Sequence, residues 1–385
     1  MTRMGLPVYF DHNATTPLDA RVLEAMLPYL KTNYGNASSR HEYGTQARKA
    51  VNRARAQVAA AVGVEPVQVV FGSGGTEANN TFIKGAAAQL NPSQIAVSAI
   101  EHPCIGKPAQ ELTRLGWKLR KLAVDSEGRV DLADVKAALA HPTGIVSVML
   151  ANNETGVIQD VAAVADVARR QNAWVHTDAV QALGKIAVDF SALNVHAMTI
   201  SAHKIYGPKG AAALILDKRL EVKPLLSGGG HERGMRSGTE NVPAIVGFGV
   251  ACELAQNRLQ KFASELQLMR DRLEQGLTSM GARIFGGNAR RLPNTSYFAF
   301  PRVGGETLVI ELDRAGYAVA SGSACSSVSH DPSPTLLAMG VAPEIAEGAV
   351  RVSLGKDNEM REIVEFLQAI SMVLSRLQRL AAVAV

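Results

Sequence analysis

Short apolar runs alternate with amphipathic stretches through the first half of the chain. The predicted strands are Gln68–Phe71, Ile95–Ser98, Gly144–Leu150, Ala173–Thr177, Ala197–Ser201 and Ala211–Leu216. The predicted helices are Glu77–Gln89, Ala109–Leu115 and Ala162–Gln171. Strands that alternate with helices at this spacing indicate an α/β fold, with a mainly parallel sheet covered by helices on both faces.

The pattern becomes strongly helical from about Pro243 to about Met280, which is long enough to bridge two domains. Beyond it the pattern predicts a strand, a helix, two further strands and a final amphipathic helix: Ser296–Phe300, Glu306–Asp313, strands near Tyr317 and Val350, and a helix from about Asn358. A chain of 385 residues is long for a single core. We therefore expect a smaller α+β domain after about residue 260.

Composition narrows the class of protein. Hydrophobic residues make up 47% and charged residues 19%, and the net charge of +5 includes no long basic run, which is weak support for a nucleic-acid partner. Three cysteines argue against a disulfide framework and for a reducing compartment. Met1–Phe10 has no apolar signal core, and no apolar stretch is long enough for a bilayer. These features predict a cytoplasmic protein.

Two strand ends carry residues suited to a carbonyl cofactor. Lys204 follows the strand that ends at Ser201, and residues just beyond a strand's carboxyl end are where open α/β sheets bind ligands. A lysine there can form a Schiff base, although an isolated lysine is more often a surface turn residue. Asp178 closes the strand that begins at Ala173. It could pair with a pyridine nitrogen or simply cap a helix.

Three more strand ends follow the same pattern. Gly72–Asn79 leads from a strand into a helix, where backbone N–H groups favour phosphate, although a tight turn explains it equally well. His102, in Glu101–Pro103, is suited to stacking on a ring or to proton transfer, or is a surface turn residue. Asn152–Gly156 is a further polar segment that follows a predicted strand, Gly144–Leu150. Five such ends predict one site at one edge of the sheet.

Three further features lie outside these strands. Gly228–Asn241 is a glycine-rich loop that could reach a phosphate on its own or a neighbouring subunit, or merely connect two elements. Cys325 lies in a loop rich in Ser, Gly and Pro that runs to Pro334, which predicts an exposed thiol on a mobile arm. Arg351, on an apolar strand, needs a partner, either a substrate carboxylate or a structural ion pair.

In order and spacing, these motifs resemble the group I cysteine desulfurases of the NifS/IscS type. That group belongs to the class V aminotransferase branch of fold-type I enzymes, which depend on pyridoxal 5′-phosphate (PLP). The similarity runs from Tyr9–Thr16 through Tyr34–Ser39 to Arg351–Gly355. It implies a large PLP-binding domain (14–260) with a mainly parallel seven-stranded sheet. It also implies a small α+β domain (1–13 and 261–385) that carries the Cys325 loop.

The resemblance also implies a role for each matching residue. Lys204 would hold PLP as a Schiff base, Asp178 would pair with its pyridine nitrogen and Gln181 with its phenolic oxygen, while His102 would stack on the ring and transfer protons. Gly75, Thr76, Ser201 and His203 would hold the phosphate, joined by Thr239 from a partner subunit. Asn153 and Arg351 would bind substrate and cofactor, with Arg351 on the carboxylate, and Cys325 would take the sulfur.

The implied reaction converts L-cysteine to L-alanine and leaves a persulfide on Cys325. The expected partners are a second copy of the chain and a protein sulfur acceptor, such as an iron–sulfur scaffold or a tRNA-thiolation protein, without direct nucleic-acid or membrane binding. The protein alone is expected to hold no metal, although Cys325 could contact an iron–sulfur cluster transiently through its persulfide. Cys104 and His231 depart from the family pattern, and we expect Cys104 to be a dispensable packing residue.

Two other functions are compatible with parts of the pattern. Another class V enzyme, such as an aminotransferase, a selenocysteine lyase or a kynureninase-like hydrolase, would share Lys204 and Asp178 but would not need Cys325. A degenerate, non-enzymatic binding protein would need none of the three. The presence of all three residues favours the desulfurase.

Overall fold

The computed structural model describes residues 6–321 and 332–383. Cys325 and the arm predicted around it lie outside the described residues. The strands are β1 (Val8–Tyr9), β2 (Val69–Gly72), β3 (Gln94–Ser98), β4 (Lys118–Leu122), β5 (Thr143–Ser147), β6 (Trp174–Asp178), β7 (Ala197–Ser201), β8 (Ala212–Leu216), β9 (Arg283–Ile284), β10 (Thr295–Ala299), β11 (Tyr317–Ala318), β12 (Ala320–Ser321) and β13 (Ala349–Ser353). The helices are α1 (Ala20–Lys31), α2 (Glu42–Ala61), α3 (Gly75–Ala87), α4 (Pro103–Leu112), α5 (Leu132–Ala138), α6 (Val161–Arg170), α7 (Val242–Ser279), α8 (Gly305–Arg314), α9 (Pro334–Ala338), α10 (Pro343–Ala346) and α11 (Met360–Val383).

A seven-stranded sheet in the order β2-β8-β7-β6-β5-β3-β4 forms the centre of the molecule. The pairs β3–β4, β3–β5, β5–β6 and β6–β7 are parallel. Only β8 runs the other way among these strands, antiparallel to both β2 and β7. The predicted α/β fold with a mainly parallel sheet is confirmed.

Both faces of this sheet are buried, as β8 illustrates. Ala213 and Ile215 pack into one apolar cluster, whereas Leu214 and Leu216 pack into another on the opposite face. Successive side chains of a strand point to opposite faces, so a strand that is apolar throughout requires helices on both sides. This arrangement leaves the ends of the strands as the accessible part of the sheet.

Two strands of the seven-stranded sheet differ clearly from the prediction. β5 ends at Ser147 and not at Leu150, because the apolar run continues for three residues after the ladder stops. The edge strand β4 was missed. Its sequence, Lys118–Leu122, is largely charged and only its last residue is buried. Charges on an edge strand discourage pairing with other chains, and they also remove the apolar signal from the sequence.

The long predicted helix is confirmed as α7, which contacts two apolar clusters. Phe248, in its first half, is buried with the helices that cover the seven-stranded sheet. Leu273, in its second half, packs in a cluster with Phe298 of β10 and Val350 of β13. These two strands belong to a separate four-stranded sheet, β12-β13-β10-β9. The domain boundary near residue 260 stays a prediction.

None of the helices in the described part of the chain combines the length and the apolar character that crossing a membrane requires.

Candidate active site

A cavity of about 330 Å³ lies at the carboxyl edge of the seven-stranded sheet. Except for Thr239 and Cys325, every residue that the sequence assigned to the site lines it: Gly75, Thr76, His102, Asn153, Asp178, Gln181, Ser201, His203, Lys204 and Arg351. Parallel strands carry their carboxyl ends to the same edge, so residues far apart in sequence meet there.

Lys204 is held at the end of a short 3₁₀ turn that follows β7. This turn, Ala202–Lys204, begins directly after the buried strand. The Lys204 side chain is half-buried, and its Nζ donates hydrogen bonds to the backbone carbonyls of Asn13 and Ala14, the latter at 2.7 Å. Lys204 is therefore a cavity residue fixed by the N-terminal segment, unlike a solvated lysine in a turn.

Asp178 ends β6 with a carboxylate that is fixed at both oxygens. Its Oδ2 accepts a hydrogen bond from Asn79 Nδ2 at 2.7 Å, and its Oδ1 accepts one from the backbone N–H of Val180 at 3.0 Å. A turn follows, so the alternative that Asp178 caps a helix is wrong. The carboxylate is oriented by hydrogen bonds, which suits a group that must meet a cationic partner in the cavity.

His102 caps the N-terminus of α4, which determines its tautomer. The backbone N–H of Cys104 donates to His102 Nδ1 at 3.2 Å, and Cys104 Sγ lies 2.8 Å from the same nitrogen. Since a backbone N–H can only donate, Nδ1 is the acceptor and a neutral ring carries its proton on Nε2. Burial lowers the pKa of His102, which favours this neutral form.

Cys104 occupies a more polar position than the packing role that its sequence suggested. Its Sγ accepts a hydrogen bond from Asn79 Nδ2 at 3.0 Å and is close enough to His102 Nδ1 to donate to it. Burial raises the pKa of the thiol to about 12, so it stays protonated. Asn79 thus links Asp178 to Cys104, and Cys104 links Asn79 to His102. Cys252, in contrast, is fully buried in the apolar core.

Arg351 combines the two roles that the sequence left open. Its guanidinium forms an ion pair with Asp11 at 2.6 Å and donates to the Asn153 backbone carbonyl at 2.9 Å. It also lines the cavity. Among the described residues its buried Nε has no hydrogen-bond partner. A structural ion pair is therefore present, and guanidinium N–H groups that these two contacts do not use remain for a ligand.

The opposite end of the cavity offers hydrogen-bond donors. Gly75 and Thr76 form the first turn of α3, where the backbone N–H groups have no partner within the helix. The hydroxyl of Ser201 is buried and, within the described residues, has no hydrogen-bond partner. His203 Nδ1 lies 3.2 Å from Thr15 Oγ1, and burial lowers the pKa of His203 to about 4. This donor set fits a phosphate group.

Sequence reasoning missed two residues that tie the site together, Asn13 and Lys185. Lys185 Nζ donates to Asn13 Oδ1 at 2.9 Å and to Gln181 Oε1 at 2.7 Å. Gln181 Nε2 donates to the Asn13 carbonyl at 2.9 Å. Asn13 lies in the segment Tyr9–Thr16, whose resemblance to the family was the only signal for it. Lys185 is an isolated lysine in the sequence and had no signal.

Thr239 lies away from the main cavity, in a second cavity of about 180 Å³ beside Arg236 and Asn241. Its loop is anchored, because the buried Glu232 carboxylate pairs with Arg55 at 2.6 Å and accepts from the Phe71 backbone N–H at 2.8 Å. The anchored loop does not fit the alternative of a flexible connector. The partner-subunit role of Thr239 stays a prediction, as does the role of Cys325.

Comparisons with known proteins show the family of the chain. The family model described as aminotransferase class-V matches residues 8–366. The chain belongs to this family. It is 42% identical to cysteine desulfurase 2 of Trichormus variabilis over 97% of this chain and 94% of the relative. A solved NifS-like protein superposes with a TM-score of 0.91 at 38% identity, covering 96% of this chain and 100% of the other. SspA, solved in complex with cysteine, superposes with a TM-score of 0.81 at 31% identity, covering 90% and 98%. The cofactor of this family is PLP.

Proposed function

We propose that this protein is a PLP-dependent cysteine desulfurase, which removes sulfur from L-cysteine, releases L-alanine and leaves a persulfide on Cys325. One observation carries the proposal. The cavity at the carboxyl edge of the sheet gathers Lys204, Asp178, His102 and Arg351. It does so in a chain that is similar over nearly its whole length to proteins named cysteine desulfurase.

The residues present fit PLP. The N-terminus of α3 and the Ser201 hydroxyl supply donors for its phosphate, with Gly75, Thr76 and His203 beside them. Asp178 supplies an oriented carboxylate for the pyridine nitrogen, and Gln181 supplies an amide for the phenolic oxygen. Lys204 would hold the cofactor covalently. When bound, PLP supplies an electron sink for bonds that break at the substrate.

His102 is assigned contact with the cofactor ring and proton transfer. The two donors at its Nδ1 leave Nε2 as the protonated nitrogen of the neutral ring. With its pKa lowered by burial, His102 stays neutral and presents its Nε2–H as the hydrogen-bond donor of the ring. Cys104 and Asn79 orient the ring from the side remote from Nε2.

Arg351 and Asn153 are assigned to the substrate. The Asn153 carbonyl and Asp11 hold two guanidinium nitrogens of Arg351, which fixes the plane of the group. Arg351 lines the cavity, and the guanidinium N–H groups that these contacts do not use suit a carboxylate of the substrate. Asp11 compensates part of the positive charge when the cavity is free of substrate, so the guanidinium is not a buried, unpaired cation.

The sulfur transfer balances without an added oxidant. The C–S bond of the substrate breaks as the sulfur bonds to Cys325, so that two thiols become one persulfide and one new C–H bond at the methyl group of alanine. The persulfide is then passed to a protein acceptor of iron–sulfur cluster or thiolation chemistry. We further propose a cytoplasmic homodimer. The separate position of Thr239 supports the second subunit, because that residue does not line the main cavity of its own chain.

The test is the stoichiometry of sulfide and alanine released from L-cysteine with a small thiol as reductant. We expect equal amounts. Cys325→Ser should keep the visible absorption of bound PLP and release no sulfide. The matched control is Cys104→Ala, which we expect to keep sulfide release within about fivefold of wild type. It removes one hydrogen bond to His102 while the backbone N–H of residue 104 still donates.

Full sulfide release by Cys325→Ser would disprove the role of that thiol. Loss of activity in Cys104→Ala with PLP still bound would mean that the second cysteine is required. Turnover of another amino acid without sulfide would point to a different class V reaction.

A further inference from the structure

Lys185 is a second lysine beneath the candidate active site, and its side chain is buried at 4% exposure. Its Nζ lies 2.7 Å from Gln181 Oε1 and 2.9 Å from Asn13 Oδ1. A buried amine does not add to apolar packing, and burying it costs free energy unless its N–H groups have hydrogen-bond acceptors. The two short contacts satisfy them and tie Lys185 to a residue that lines the cavity.

A lysine amine is a donor to both of these oxygens, and this restricts the orientation of the Gln181 amide. With Oε1 against Lys185, the amide nitrogen Nε2 lies on the other side, where it donates to the Asn13 carbonyl at 2.9 Å. The reversed orientation would bring the N–H groups of Gln181 against those of Lys185 and leave both without acceptors. An amide nitrogen has two N–H groups, so one is left for a ligand.

The Asn13 amide is oriented in the same way. Its Oδ1 accepts from Lys185 and from Asn294 Nδ2 at 3.1 Å. Its Nδ2 donates to Thr295 Oγ1 at 2.9 Å. Asn13 is therefore bonded at both ends of its side chain, and its position gives Lys185 a rigid second acceptor.

Among the described residues, the charged groups that act on the pKa of Lys185 are cations. Burial lowers the pKa of Lys185 well below its ordinary value, and the nearby Lys204 and Arg351 act in the same direction. His12 is neutral near pH 7, because burial lowers its pKa to about 4. A neutral amine still has two N–H groups for its two acceptors. In either charge state the Asn13 carbonyl, which can only accept, keeps the Gln181 nitrogen on its side.

We infer that Lys185 is a positioning residue. By donating to Gln181 Oε1, it holds the Gln181 amide so that its nitrogen presents an N–H donor to an anionic oxygen of the ligand in the cavity. This inference rests on the proposed function, in which that oxygen is the phenolic oxygen of PLP. Lys185, which does not line the cavity, would then influence the electron distribution of the bound ring.

The test is the pH midpoint at which the visible band of the PLP-loaded protein titrates. A hydrogen-bond donor to the phenolic oxygen of PLP stabilises the anionic form of that oxygen. The oxygen then binds the neighbouring proton less tightly, which lowers the pH midpoint. Lys185→Met should therefore raise the midpoint by about one pH unit, the size expected for losing one such donor. Gln181→Leu should shift it in the same direction. The double variant should shift it no further, because both changes remove the same N–H.

Two variants serve as controls. Lys356→Met removes a lysine that is only partly buried, pairs with Asp19 and does not contact Gln181, and it should leave the midpoint unchanged. Lys185→Arg keeps a side chain with donors only and should retain the wild-type midpoint. It also tests the inference if Lys185→Met fails to fold, which the melting temperature of the PLP-free protein reveals.

An unchanged midpoint in Lys185→Met, with only a lower melting temperature, would reduce Lys185 to a structural residue and overturn the inference. So would additive shifts in the double variant, or a midpoint for Lys185→Arg that departs from wild type. These spectra are independent of the sulfide assay. A protein that binds PLP but releases no sulfide would contradict the proposed function while the midpoints still decide the role of Lys185.

Discussion

At the scale of single residues, the site is built from polar side chains that orient one another. Asn79 holds Asp178 and Cys104, and Cys104 lies against His102. Buried polar groups are costly unless paired, so each contact restricts the orientation of the next group. Reactive side chains in such a network need little reorganisation when a ligand binds.

Lys204→Ala should abolish the visible absorption band of bound PLP and the turnover of cysteine. The reason is that no other amine described in the cavity is placed on a strand-end turn to hold the cofactor. The measurement is the absorption spectrum after incubation with PLP and removal of the excess. Lys209→Ala, five residues on and exposed, is the matched control and should keep the wild-type spectrum. A wild-type spectrum with full turnover in Lys204→Ala would reject the assignment.

Arg351→Ala should mainly weaken the binding of cysteine. Losing a charge-assisted contact costs about 1.5–3 kcal/mol, which is roughly ten- to a hundredfold in apparent affinity. Steady-state KM, or a titration of the spectrum with substrate, measures it.

Asp11→Asn separates the two roles of Arg351, because it breaks the ion pair and keeps the guanidinium. If Arg351 binds substrate, Asp11→Asn should affect KM much less than Arg351→Ala does. Equal losses of stability in both variants, with KM unchanged, would leave Arg351 as a structural residue.

At the scale of elements, the short helix α9 is connected to the site through Glu154, the neighbour of Asn153. Ser333 caps α9 by accepting from the Leu336 backbone N–H at 3.2 Å, and its hydroxyl donates to the Glu154 carboxylate. Thr335 Oγ1 donates to the same carboxylate at 2.8 Å. Burial raises the pKa of Glu154, so these donors partly offset the cost of shielding it from water.

Ser333→Ala should lower the free energy of unfolding by about 1–3 kcal/mol, since it removes an N-cap and a hydrogen bond to a buried carboxylate. Asp131→Ala, which removes the N-cap of α5 only, is the matched control and should cost about 1 kcal/mol. Urea unfolding measures both. Equal costs would show that the bond to Glu154 contributes nothing to stability.

At the scale of the whole molecule, packing the sheet on both faces buries ionisable groups whose protonation then depends on folding. His176, in the middle of β6, is fully buried, stacks on Phe82 and lies 2.9 Å from Ser147 Oγ. Burial lowers its pKa to about 3. Glu101 behaves in the opposite way, because burial raises its pKa to about 8.

His176 should make the protein less stable as the pH falls from about 6.5 toward 3. Across this range the unfolded chain binds a proton that the folded protein does not, which lowers the free energy of unfolding by about 1.4 kcal/mol per pH unit. Glu101 opposes this trend between about pH 4.5 and pH 8. The contribution of His176 is therefore the difference in pH dependence between the wild type and His176→Gln. Between pH 5 and 6.5, the free energy of unfolding of His176→Gln should lack the pH dependence that His176 contributes.

Denaturant titrations at several pH values measure that slope. His141→Gln, at an exposed position, should keep the wild-type slope. A slope in His176→Gln equal to that of wild type would mean that His176 is protonated in the folded state.

The sequence by itself determined the α/β fold, the long helix α7 and most of the residues that meet in the cavity. Apolar periodicity reports which faces are buried, and a chemically unusual residue after a buried strand marks the edge where ligands bind. The same reasoning overlooked the charged edge strand β4, because a half-exposed strand has no apolar signal. It also extended β5 past Ser147, because burial continues where pairing stops.

Only the tertiary structure decided how the site is held together. Asn13 and Lys185 are distant in sequence from most of their partners. Lys185 belongs to no pattern that the sequence displays, and the family resemblance of Tyr9–Thr16 marked Asn13 without giving its partners. The tautomer of His102 depends on a helix cap, and the ion pair of Arg351 depends on a residue 340 positions away. Hydrogen bonds of this kind form only after the elements pack. Local sequence predicts an element, whereas partners across the fold are chosen by the packing of those elements.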